Sequence, residues 1–174
     1  MRRSLAVLAL AAIPALSAAT SRPAGSVARL FGPPWISIEY PANPYDRDNR
    51  GAFLYVHTFH HGNAIEATLR GTAEGIVDGQ RRSVALQFAK TARPGTYALG
   101  RQWPTAGTWL LVITTQGSGG QSDGATALVE IGAAGGVANV RVPTATRDGY
   151  LIPTAVTRQQ IDDALRARTR VASR

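Results

Sequence analysis

From Trp35 onward the chain is a succession of short runs in which apolar and polar positions alternate, each closed by turn-forming residues. A period of two puts successive side chains on opposite faces of a strand, so this rhythm predicts half-buried β-structure. Trp35–Tyr40, WISIEY, is the first run and Pro41 ends it; residues 41–50, PANPYDRDNR, carry turn chemistry throughout. Ala52–Phe59 is the second run, with His61-Gly62-Asn63 as a turn. Residues 64–77 read as a third strand, bent at Gly71 or Gly75. Asp78-Gly79 is a strong hairpin signal, and Arg81–Thr91 follows with Val84, Leu86 and Phe88 on one face. Arg93-Pro94-Gly95 turns the chain into a pair of strands, Thr96–Trp103 and Thr108–Thr115, joined through Pro104–Gly107. The polar, glycine-rich Gln116–Gly124 is expected to be the most mobile loop, and Ala125–Ile131 and Val137–Val142 complete the set.

About eight strands with turn signals roughly every 8–12 residues, and no helix between them, predict an all-β, immunoglobulin-like antiparallel β-sandwich. It spans residues 35–143, with Trp109, Leu111, Ile113, Val84, Leu86, Phe88 and Tyr97 in its core.

The two ends of the chain have a different pattern. Residues 1–19 follow the secretory signal form: Arg2 and Arg3, an apolar run Leu5–Ile13, Pro14, then small Ser17 and Ala19 before a cut after Ala19. That run rises only about 14 Å as a helix, well short of a bilayer, so it reads as a cleavable leader. No later run approaches membrane length, so no membrane span is expected after the leader is cut. Lipid anchoring through cysteine is excluded because the chain has none, and the arginine pair lacks a longer twin-arginine context. Residues 20–34, with three prolines, read as a flexible lead-in. Residues 144–174 form a C-terminal extension with one basic helix. Thr157 is its N-cap, Gln160 completes a capping box, and Ile161 and Leu165 give an apolar stripe so narrow that weak packing is expected.

Without cysteine, a secreted domain must be held by its core alone. The roughly 155 residues left after the leader suffice, since a domain of that size buries about two-thirds of its unfolded surface. The net charge of +8, falling to +6 when Arg2 and Arg3 leave, comes from arginine; Lys90 is the one lysine. Arg158, Arg166, Arg168, Arg170 and Arg174 crowd the tail against Asp162 and Asp163. No aromatic follows Tyr150, so the tail lacks the stacking platforms of a nucleic-acid binder, and no nucleic acid is expected as a partner. A solvated basic face is the simplest reading. Where that face meets a partner, an acidic envelope protein or an anionic surface fits its charge.

The stretch Ser83–Thr115 contains Pro94-Gly95-Thr96-Tyr97, Trp103-Pro104 and Gly107-Thr108-Trp109 among alternating apolar residues. It resembles the YtkA-like and FixH-like domains. Those are immunoglobulin-like sandwiches outside the bacterial cytoplasm or facing the periplasm, similar in build to copper-resistance CopC-type domains. The resemblance implies a periplasmic or secreted address and an accessory or metal-handling role in place of catalysis. It carries over no metal ligand: the expected mature chain has no N-terminal histidine, and Met1 is the one methionine.

All three histidines, His57, His60 and His61, fall in VHTFHHG. Neutral imidazoles ligate copper(II) or zinc, and the absence of cysteine disfavours soft copper(I) sites. On a strand His57 and His61 share a face and His60 points away; a turn before Gly62 would fold His60 back, with Glu66 or Asp46 adding a carboxylate. In the alternative, His57 pairs across strands and His60-His61 merely closes a strand end. No catalytic set emerges. The chain lacks a Gly-x-Ser-x-Gly elbow, Gly71–Gly75 is no phosphate loop, and the run with Tyr45, Asp46 and Asp48 lacks EF-hand spacing. Trp35, Tyr40, Tyr45 and Trp103 are candidate exposed aromatics for a sugar or a partner. The expectation is an exported, non-enzymatic binding or accessory module. The alternative is a periplasmic copper or zinc carrier, or a metalloenzyme, on the histidine cluster.

Overall fold

A computed structural model describes residues 33–46, 51–116 and 123–172. The expected leader, nearly all of the lead-in and loop residues 117–122 lie outside the described residues. In chain order the strands are β1 (Trp35–Glu39), β2 (Leu54–His60), β3 (Asn63–Ala64), β4 (Thr68–Val77), β5 (Gln80–Ala85) and β6 (Ala89–Lys90). Then come β7 (Thr96–Leu99), β8 (Thr108–Gln116), β9 (Asp123–Ile131), β10 (Val137–Arg141), β11 (Thr144–Arg147) and β12 (Tyr150–Pro153), followed by helix α1 (Arg158–Ala172).

One sheet runs β1-β2-β7-β6 with β3 beside β2; the other runs β10-β9-β8-β4-β5, and the pairings are antiparallel. The first sheet therefore carries the A, B, E and D strands of an immunoglobulin domain. The second carries C′, C, F and G, with β10 added beyond G. The all-β sandwich with a C-terminal helix is the fold that the alternating runs predict.

The core lies between the sheets. Ile36, Leu54, Val56 and Leu99 face Ala73, Trp109, Leu111, Ile113 and Val129, and the seven expected core residues all join this cluster. Gly71 and Gly75 do not bend β4, whose register with β8 runs unbroken from Thr68 to Ile76. They make room. A Cβ on Gly75 would stand 2.4 Å from the Trp109 ring, and one on Gly71 would stand 2.9 Å from Phe88. The chain changes sheet instead at residues 65–67. There the Tyr97 phenol fixes the crossover, donating to the Ala67 carbonyl (2.6 Å) and accepting from the Ala67 amide (3.1 Å).

Two strand assignments are corrected. Residues 81–91 are not one strand: β5 lies in one sheet and β6 in the other, with Leu86–Phe88 crossing between them. β7 and β8 do not pair. They too belong to opposite sheets, because Trp103 must turn into the core, where it is 3% exposed, before the chain re-enters as β8.

The helix corrects the expectation of weak packing. Sheet β10-β9-β8-β4-β5 is apolar on its outer face as well, and Leu110, Leu128 and Leu165 form a second buried cluster with Ile76, Val112, Ile161 and Ala164 around it. Burying one leucine contributes about 2 kcal/mol, and here Leu165 is fully buried. Arginines fasten both ends of α1. Arg81 of β5 pairs with Asp162, while Arg168 pairs with Glu130 (3.0 Å) and donates to the Ile131 carbonyl (2.5 Å). The capping box forms as read: the Gln160 amide donates to Thr157 Oγ1 (3.2 Å) and the Thr157 amide to Gln160 Oε1 (2.8 Å).

Between sandwich and helix stands an element that apolar–polar alternation does not predict. β11 and β12 make a separate two-stranded ribbon around Asp148-Gly149, whose φ values of 51° and 79° mark a type I′ turn.

Candidate functional site

Two places merit chemical description. The first is the outer face of sheet β1-β2-β7-β6. The register sets Glu39 opposite Tyr55, Ser37 opposite His57, and His57 opposite Thr96, so their side chains line one surface. His57 Nε2 lies 2.8 Å from Glu39 Oε2, and His57 Nδ1 lies 3.2 Å from Thr96 Oγ1. A carboxylate only accepts, so Nε2 carries the proton, and in the neutral ring Nδ1 takes the threonine hydroxyl.

Arg93 closes the cluster from the turn before β7. It reaches Glu39 at 3.5 Å and Asp46 at 3.9 Å, and its guanidinium lies 4.8 Å from the centre of the Tyr55 ring. The fully buried Tyr55 donates to Asp46 at 2.9 Å. Burial raises the Tyr55 phenol above its ordinary pKa, and the bond to Asp46 and its charge push the same way, so the group stays a neutral donor. The arrangement is a closed polar network in which each acid meets a donor.

The histidines divide. His57 is committed to Glu39 and Thr96, while His60, at the end of β2, and His61, at φ 48° in the turn, bring their rings edge to face at 4.1 Å. His61 therefore shares no strand face with His57, because the type I′ turn begins one residue too early. Among the described residues no three His, Asp or Glu side chains are arranged to hold a metal ion. Glu66 pairs with Lys90, and Asp46 belongs to the Tyr55–Arg93 contacts.

Of the four candidate aromatics, Trp103 is buried against Phe53 (5.2 Å, edge-on) with Arg101 over both rings. Trp35 is half-buried, Tyr40 leans on Phe53 at 5.3 Å, and Tyr45 is exposed.

The second place is the β11–β12 ribbon. Tyr150 is 75% exposed and Leu151 63%, the latter without any apolar neighbour in either core cluster. Arg147 stands opposite Tyr150 in the register. The signal for this ribbon was present in Asp148-Gly149, the same dipeptide type that marks the β4–β5 turn. Arg93 had no comparable signal: its role follows from a turn returning over β1, which strand patterning does not encode. Compared with protein families, curated proteins and solved structures, the chain finds no match.

Proposed function

We propose that the chain is an exported, non-enzymatic binding module of the cell envelope, and that the β11–β12 ribbon is its contact surface. One observation carries this reading: a two-stranded ribbon that pairs with neither sheet holds Tyr150 and Leu151 in solvent. A hairpin gains little stability from such side chains, whereas tyrosine at a contact supplies a large, rigid, amphipathic area. The polar network around His57 supports the same side of the choice, since its donors and acceptors are engaged with one another. The leader-like residues 1–19 and the resemblance of Ser83–Thr115 to extracytoplasmic sandwiches supply the address.

Cell fractionation tests the proposal. The wild-type protein is expected outside the cytosol and sedimenting with the envelope, and the Tyr150→Ser/Leu151→Ser variant in the same compartment but released. Recovery of the wild type in the cytosol would end the export reading. Equal release of both proteins would end the binding reading.

A further inference from the structure

We infer that the partner of the β11–β12 ribbon is an anionic phospholipid surface, on which Tyr150 and Leu151 enter the interface while Arg147 and Arg158 meet phosphates. This names a partner for the binding module and so rests on that proposal.

The first argument is placement. Five large apolar side chains are exposed among the described residues, and Val140, Tyr150 and Leu151 all fall within β10–β12. The second is geometry. Tyr150 and Leu151 are consecutive strand residues, so they project to opposite faces of the ribbon. A pocket in a protein partner would accept one face and leave the other wet, whereas a fluid interface receives the tip from both sides. Tyrosine is suited to that depth, its ring among acyl chains and its hydroxyl at the headgroups.

The third argument is charge. From Val140 to Arg158 the chain holds Arg141, Arg147 and Arg158 against the single carboxylate of Asp148. Arg141 is drawn toward Glu130 at 3.6 Å, while Arg147 and Arg158 make no ion pair among the described residues. The net charge of the chain adds a long-range attraction of the same sign. Among the described residues no helix is long and apolar enough to cross a bilayer.

The test is sedimentation with vesicles of phosphatidylcholine alone or with 30% phosphatidylglycerol (about a third, enough to give a strongly negative surface), using the protein as recovered from its producing cells. Binding is expected on the anionic vesicles and to weaken about fivefold for each of Arg147→Gln and Arg158→Gln. Tyr150→Ser/Leu151→Ser should weaken it about tenfold or more, with an unchanged circular dichroism spectrum. Anionic-vesicle binding that ignores the Tyr150/Leu151 change would mean mere adsorption of a basic protein and would overturn the inference. So would absence of vesicle binding. If envelope association in cells then still depended on Tyr150 and Leu151, the partner would be a protein, and the binding-module proposal would survive alone.

Discussion

A single absent methyl group organises the centre of the sandwich. Gly75 lies flat beneath Trp109, and the indole occupies the space a side chain would fill, with Nε1 donating to the Ala106 carbonyl at 2.8 Å. Gly75→Ala should therefore cost about 1–3 kcal/mol through overpacking and alter the near-ultraviolet signal of Trp109; urea denaturation checks the first and circular dichroism the second. Sequence patterning located Trp109 in the core but took the glycine for a bend, because a missing side chain looks the same whether it frees the backbone or admits a ring. His57 illustrates a similar limit. Its strand position was legible, but its bonding depended on Glu39, Thr96 and a returning turn. With both ring nitrogens engaged, His57→Ala should leave copper(II) or zinc affinity unchanged within a factor of about two. A tenfold loss in a metal titration would show that His57 is a ligand.

At the scale of elements, the helix shows how one surface explains another. The strand runs Trp109–Ile113 and Ala127–Val129 are apolar at consecutive positions, which a sheet exposed on one side would not need. Leu110 and Leu128 are the outward members, and α1 covers them. Leu165→Ala should cost about 2–4 kcal/mol and expose α1 to hydrogen exchange ahead of β8 and β9. The sequence made the cap of α1 plain, since Thr157 and Gln160 are local to each other. Its docking was hidden because Arg81 and Asp162 lie far apart in the chain.

Arg81 also joins the helix to Glu74. Burial alone would raise the Glu74 pKa, but hydrogen bonds from Ser83, Thr72 and Arg81, with the Arg81 charge, outweigh it and hold the carboxyl below its ordinary value. A depressed folded pKa contributes stability above the ordinary value, near 4.5, and that contribution is lost as pH falls through the lower folded one. Denaturant midpoints measured from neutral pH into this acidic window should fall for the wild type and stay flatter for Glu74→Gln.

For the whole molecule, the address is the prediction that matters. N-terminal sequencing of the protein from its producing cells should begin near Thr20, and a sequence starting at Met1 would remove the leader from the account. The topology has a consequence for how that protein reaches its fold. Rungs such as Tyr55 opposite Ala98 and Gly71 opposite Ile113 join residues about forty positions apart, and three crossings between sheets precede β8. Loops of that length must close before any core forms, which places folding in the millisecond-to-second range typical of such sandwiches rather than that of a helical bundle. A chain that closes this slowly stays threadable while it is being made, so the strand order that builds the sandwich would also leave time for export, were residues 1–19 to act as the proposed leader.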